Sequence, residues 1–173
     1  MTKYSSSSSY WKYEIVITSL IFLGIGIIST NTFEKILAKL IFVMLSIGIA
    51  ILVILYQRKK TFYINFLENE ILIEYSFLKK TIRVPYANLL QIEFISVYRS
   101  PNRNKIKFKI GSEIKSLIFL SIAESNEYIE FIKWLKLKNE KLELKVYPSD
   151  HIINHKIQVV YGFKYRKMLK KTL

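Results

Sequence analysis

Leu40–Tyr56 reads LIFVMLSIGIAILVILY, seventeen residues without a charge. Ile36, Leu37 and Ala38 extend it backwards past Lys39. Upstream, Ile15–Thr30 reads IVITSLIFLGIGIIST, sixteen more uncharged residues. At helical rise these runs cover about 24–26 Å, close to a hydrocarbon core of ~30 Å. The flanks make up the difference. Trp11 and Tyr13 precede the first run and Tyr56 ends the second, placing aromatic rings at headgroup depth. Lys39 can extend its long stem to the interface. A helix buried in a soluble protein keeps a polar stripe, but here Thr18, Ser19 and Ser46 are the only interior polar residues. A cleaved signal peptide fits poorly, because no small-x-small site follows and the second run arrives within ten residues. The two runs therefore predict a transmembrane helical hairpin over residues 14–56, turning at about Asn31–Lys35. Gly24-x-Gly26 has the wrong spacing for a small-xxx-small helix contact.

Charge at the flanks sets the expected orientation. Lys3 and Lys12 lie before the hairpin, and Gln57 is followed by Arg58, Lys59 and Lys60; the turn holds Glu34, Lys35 and, at its boundary, Lys39. Two spans return the chain to its starting side, and the Arg58–Lys60 cluster assigns that side to the cytoplasm. The expectation is a multi-pass protein of the inner membrane with both termini cytoplasmic. Trp11, Tyr13, Lys39, Tyr56, Arg58, Lys59 and Lys60 are its interface residues. Residues 1–13, with the low-complexity Ser5–Ser9, are expected as a flexible leader.

The whole composition agrees with such segregation. The chain has 173 residues, room for about one further domain. It carries 27 Lys+Arg against 13 Asp+Glu, a net charge of +14, yet 51% of it is hydrophobic and the mean hydropathy is +0.20. An aromatic content of 14% excludes a disordered chain. The absence of cysteine excludes disulfide frameworks, thiolate zinc sites and cysteine nucleophiles. Residues 57–173 hold 23 basic and 11 acidic residues, so almost all the excess charge lies there.

That portion alternates with period two. Phe62, Ile64 and Phe66 form one run and Ile71, Ile73, Tyr75 and Phe77 the next, with Glu68-Asn69 as a tight turn between them. Ile82, Val84 and Tyr86 follow. In Gln91–Tyr98 the alternation slips between Phe94 and Ile95, as at a bulge. Lys105–Ile110 alternates without fault, leaving one basic face, and Gly111-Ser112-Glu113 turns the chain into Ile114–Leu120. Six short strands at about ten-residue spacing predict a meander closing into a barrel or sandwich. The period then becomes helical. Ser121 and Glu124 fit a capping box, and Tyr128, Phe131, Ile132 and Leu135 make one apolar face, widened by Ile129 and Leu137 with Trp134 beside it. This helix, running to about Lys138, is expected to plug an open end of the barrel. Beyond it Leu142, Leu144, Val146 and then Ile157, Val159, Tyr161 alternate, predicting an extra β-hairpin around Pro148–Asn154.

In this order, the strand pair, Phe77-Leu-Lys-Lys-Thr-Ile-Arg-Val-Pro-Tyr86, the strand Ile92-Glu-Phe and Glu127-Tyr-Ile-Glu-Phe-Ile-Lys-Trp134 resemble the bacterial pleckstrin-homology-like (PH-like) domains, in which a membrane hairpin often precedes the domain. The resemblance covers about residues 57–140, with the hairpin before it. It implies an α+β membrane protein: a transmembrane hairpin (14–56), then a PH-like antiparallel β-barrel or sandwich (57–140) capped by one C-terminal amphipathic helix, and an extension with a basic tail (141–173). It also implies a module generally without catalysis. Eukaryotic PH domains that bind phosphoinositides carry basic residues in the first hairpin turn; here that turn is Glu68-Asn69-Glu70, which argues against such a pocket.

No catalytic group stands out, and neither an enzyme activity nor a cofactor is expected. His151 and His155, four apart beside Asp150, have no third metal ligand fixed near them. No G-x-S-x-G, P-loop or dinucleotide fingerprint is present. The basic residues say more. Lys79, Lys80, Arg83, Arg99, Arg103, Lys105, Lys107 and Lys109 fall in a turn, a loop and one strand face. Lys164, Arg166, Lys167, Lys170 and Lys171 give the tail a basic amphipathic pattern, if helical. These are the candidate binding residues. A domain held this close to a bilayer meets anionic lipid headgroups rather than nucleic acid, at about 1 kcal/mol per cation. A merely solvated basic face remains the plain alternative. The expected role is a binding or scaffold module that recruits an unidentified protein partner or orients on anionic lipid. The rival is a small membrane-active or regulatory subunit whose hairpin forms homo-oligomers.

Overall fold

The computed structural model of the chain describes residues 2–9, 13–123 and 126–162. The two apolar runs form helices α1 (Glu14–Ser29) and α2 (Ile36–Gln57), joined through a 3₁₀ turn at Thr30–Thr32. Both are long and apolar enough to cross a bilayer. They pack on a narrow seam: Ile15, Ser19 and Gly26 are buried on α1, and Ser46, Ala50 and Gln57 on α2. Gly26 is what allows the approach. A Cβ built on it would meet Ser46 Oγ and lie 2.6 Å from Ser46 Cβ, whereas one on Gly24 would meet nothing within 4 Å. Ser46 and Ala50, four apart, supply the small-xxx-small spacing that the glycines lack. Ser19 Oγ donates to Ile15 O (2.7 Å) and Ser46 Oγ to Phe42 O (2.9 Å), so the seam hydroxyls are satisfied within their own helices. Away from the seam the surface is aliphatic, with Ile28 71% and Ile36 76% exposed. Phe33, in the turn, stacks on Phe42 with ring centroids 4.6 Å apart.

The rest is β-rich. Strands β1 (Thr2–Ser7), β2 (Phe62–Leu67), β3 (Glu70–Tyr75) and β4 (Thr81–Pro85) form one four-stranded sheet in that order. Strands β5 (Leu89–Ile95), β6 (Arg103–Ile110), β7 (Glu113–Leu120) and β8 (Glu143–Tyr147) form a second, ordered β7-β6-β5-β8. β6 is antiparallel to both β5 and β7, and β8 is parallel to β5. Helix α3 (Asn126–Lys138) carries the chain from β7 to β8, and α4 (Ile152–Tyr161) follows. The core lies where α3 meets both sheets. Phe131 stands edge-on to Phe66 of β2 at 5.1 Å, Tyr128 lies 4.9 Å from Phe94 of β5, and Phe66 is 6.0 Å from Phe119 of β7. The corner Tyr86–Asn88 between the sheets is pinned by Asn139, whose Nδ2 donates to Tyr86 O (2.9 Å) and Leu89 O (2.8 Å).

The chain divides into two compact units. One holds the described residues from 13 to 63, the hairpin and its exit, together with 74–81; the other holds 2–9, 64–73 and the described residues from 82 onwards.

Several expectations are corrected. Of the expected barrel or sandwich, the closed barrel is not formed: the strands make two sheets. The six strands expected between residues 62 and 120 are β2 to β7, and β1 and β8 add to them. The expected flexible leader contains β1: Tyr4 packs on Phe131 (4.9 Å) and Trp134 (5.4 Å), Ser6 Oγ donates to Leu120 O (2.7 Å), and Ser8 bridges to Phe119. The serine run reads as low complexity, but its small side chains fit a strand laid over a formed core. Of Leu142, Leu144 and Val146, the last two lie on a strand, β8 (Glu143–Tyr147), but Ile157, Val159 and Tyr161 lie on α4, not on a hairpin partner. Their period-two spacing coexists with Ile153 and Ile157, four apart and buried, which give α4 its inward face. So two helices, not one, follow the strands. The register irregularity of β5 lies between Leu89 and Gln91 instead of between Phe94 and Ile95. On α3, Trp134 is buried and Leu137 is 82% exposed, the reverse of the expected weighting. Glu124 of the expected capping box lies outside the described residues.

Candidate functional site

The described candidate basic residues are divided between the two compact units: Lys79 and Lys80 in one, Arg83, Arg99 and the β6 cations in the other. Arg103, Lys105, Lys107 and Lys109 share the outward face of β6, since Asn104, Ile106 and Phe108 between them are buried. None of the four pairs with a carboxylate among the described residues. Beside them in register on β7 stand Ile118 opposite Lys105 and Ile114 opposite Lys109, both exposed; on β5, Glu93 stands opposite Lys105. Asn104 is fully buried, and neither atom of its amide has a hydrogen-bond partner. Arg99 lies in the β5–β6 loop at φ 60°, its guanidinium 5.2 Å from the ring of the 85% exposed Tyr98. Arg83 of β4 is engaged by Glu70 at 3.2 Å. Lys164, Arg166, Lys167, Lys170 and Lys171, like Trp11, lie outside the described residues.

Lys79 and Lys80 belong with the hairpin. The chain leaves α2 through a compact exit in which Lys60 N–H (2.8 Å) and Thr61 N–H (3.1 Å) donate to Gln57 O, as does Thr61 Oγ1 (3.1 Å). Thr61 O then accepts from Ser76 N–H at 3.1 Å, which draws the β3–β4 turn against the helix end. Tyr75 N–H donates to Lys80 O (3.0 Å), Lys80 Nζ lies 5.8 Å from the Tyr75 ring, and that ring lies 5.8 Å from Phe62. The turn borders a shallow, open depression of about 410 Å³ lined by residues 74–81, with Glu74 its one carboxylate. Lys79, Lys80 and Phe77 are exposed around it, and Arg58 and Lys59 flank the point where α2 ends. On the hairpin side Tyr13 and Tyr56 are exposed, and Lys60 Nζ sits 4.0 Å above the Tyr56 ring and donates to its hydroxyl. The base of the hairpin thus carries Arg58, Lys59, Lys60, Lys79 and Lys80 together with the exposed Tyr13, Tyr56 and Phe77. Lys39, near the start of α2, is half-buried at the other end.

Other polar groups hold the fold. The acidic turn Glu68-Asn69 is tied to α3 by a Glu68–Lys138 ion pair, which holds the Glu68 carboxyl below its usual value. Burial, with a contribution from Glu68, pushes the Tyr86 hydroxyl well above the ordinary tyrosine range; it donates to Leu67 O at 2.7 Å. Burial also lowers Lys136, whose ammonium donates to Glu140 O. His151 caps α4 by accepting from Ile153 N–H at 3.2 Å, and its ring lies 5.1 Å from Phe94. Among the described residues no three His, Asp or Glu side chains gather as a metal set.

Sequence reading missed Thr61, Ser76 and Phe77 at the hairpin base and Gly26, Ser46 and Ala50 on its seam. The Ser46-x-x-x-Ala50 spacing was a usable signal; the Thr61–Ser76 contact joins strands and had none. No protein-family model matches the chain, and no curated protein does.

Proposed function

We propose that the chain is a membrane-anchored, PH-like binding module at the cytoplasmic face of the inner membrane, working by holding rather than by bond making. The carrying observation is the hairpin surface: away from one seam, two helices of 16 and 22 residues turn aliphatic side chains outward with no protein to cover them. An uncovered apolar area of that size marks a surface for lipid or for a protein partner, and the length and apolarity of both helices favour lipid. A second observation supports the orientation. β1 precedes α1, β2 follows α2, and the two strands are hydrogen-bonded neighbours, which needs both ends of the hairpin on one side. The PH-like reading draws on the LKKTIRVPY segment leading into its strand and on α3 packed against both sheets.

The cysteine-free sequence permits a direct test. Single cysteines are placed at Glu34 in the turn, Leu45 in α2 and Lys141 beyond α3, and intact cells are treated with an impermeant maleimide. Glu34→Cys labels in intact cells, Lys141→Cys labels only after the membrane is opened, and Leu45→Cys labels only in denaturant. Labelling of Leu45→Cys in membranes as fast as Lys141→Cys overturns the anchoring. Labelling of Lys141→Cys in intact cells overturns the cytoplasmic placement.

A further inference from the structure

We infer that the base of the hairpin is a binding site for the headgroup of an anionic phospholipid, formed by Lys79 and Lys80 of the β3–β4 turn with Arg58 and Lys59 at the end of α2. The inference rests on the anchoring proposed above and deepens it, because it names a lipid class and the residues that select it.

Three observations converge there. The first is position. The Ser76 N–H to Thr61 O hydrogen bond at 3.1 Å fixes the turn to the residues where the apolar helix stops, and residues 74–81 share a compact unit with the hairpin. In a bilayer that level is the headgroup layer. The second is charge. Arg58, Lys59, Lys79 and Lys80 have no carboxylate partner among the described residues, and only Glu74 contributes negative charge to the depression. Ammonium and guanidinium groups are the usual donors to phosphate oxygens. The third is shape. The turn leaves an open depression of about 410 Å³, room for a phosphate and its polar substituent, with Phe77 44% exposed at its rim to lie among acyl chains. The β6 cations have a different setting: they line a strand face in the other compact unit. Arg83, first grouped with Lys79 and Lys80 by sequence proximity, is occupied by Glu70.

The full chain, purified in an uncharged detergent, is titrated by calorimetry with dioctanoyl phosphatidylglycerol, dioctanoyl phosphatidylcholine and inorganic phosphate. Saturable binding of the phosphatidylglycerol alone is expected. Lys79→Gln with Lys80→Gln weakens it by about 25-fold, from about fivefold per cation at an anionic surface. Lys79→Arg with Lys80→Arg retains it, and Lys107→Gln with Lys109→Gln on β6 leaves it unchanged. Both turn lysines are exposed, so an unaltered melting curve verifies that the variants fold. Equal binding of phosphatidylcholine, undiminished binding by the Gln variant, or inorganic phosphate binding as tightly as the lipid each overturns the inference. Short-chain lipid in detergent needs no bilayer, so this result is independent of the cysteine labelling: a soluble hairpin would sink the anchoring without touching the titration, and the reverse holds.

Discussion

Tyr86 shows what a single position contributes that its motif does not announce. It closes the LKKTIRVPY segment quoted from the sequence, but its work is done by contacts far along the chain. Its hydroxyl donates to Leu67 O nineteen residues earlier, its ring meets Trp134 edge-on at 5.5 Å, and its carbonyl accepts from Asn139. Tyrosine at a strand end was legible; a post joining the sheet corner to α3 was not, because each partner lies on another element. Burial raises this hydroxyl above the ordinary value of 10.0, so folding favours its protonated form. Its contribution is therefore complete below pH ~10 and is lost as pH rises towards the folded-state value. Thermal melts of the full chain in detergent should show a plateau to about pH 10 and a fall above it. Tyr86→Phe lowers the plateau by about 1–3 kcal/mol, the cost of leaving Leu67 O unpaired, and makes the alkaline fall shallower. An unchanged alkaline slope in Tyr86→Phe would remove Tyr86 as its source.

Helices and strands were unequally readable, for a physical reason. α1 and α2 announce themselves because each draws on a run of sixteen or seventeen successive residues without a charge, and β2 to β7 because their apolar residues largely alternate with polar ones, which gives period two. β1, β8 and α4 depend on neighbours. β1 is half serine and is held by a core made elsewhere; β8 finds its place by pairing in parallel with β5; α4 shares a spacing that a strand also satisfies. Within the hairpin, the two glycines on α1 look alike in sequence and differ in space. Gly26→Leu forces the helices apart at Ser46 and should cost about 1–3 kcal/mol, the usual penalty for overpacking. Gly24→Leu points into open space and should leave the stability within about 0.5 kcal/mol of wild type. Melting of both variants in the same detergent checks the pair; equal losses would mean that the seam does not run through Gly26.

The chain taken whole is a β module interrupted by an apolar hairpin: one strand comes before the hairpin and the rest after it. Tyr4 is the fastening of that first strand, lodged against Phe131 and Trp134, with Lys3 Nζ 5.6 Å above the Trp134 ring. Tyr4→Ala should cost at least about 1 kcal/mol and speed amide exchange throughout residues 2–7 and along β2, while the exchange of β5 and β6 stays as it was. Loss confined to the tyrosine's own amide would show that β1 is held by its backbone alone. The layout also bears on biogenesis. On the anchoring proposed above, a ribosome delivers β1 long before its partner strand exists, and this short segment stays behind while both helices thread the bilayer. A nascent chain that threads only one of them leaves β1 and β2 on opposite leaflets, and the bare edge of β2 is then open to proteases and to stray pairing. Under that proposal, completion of the sheet would report that insertion succeeded.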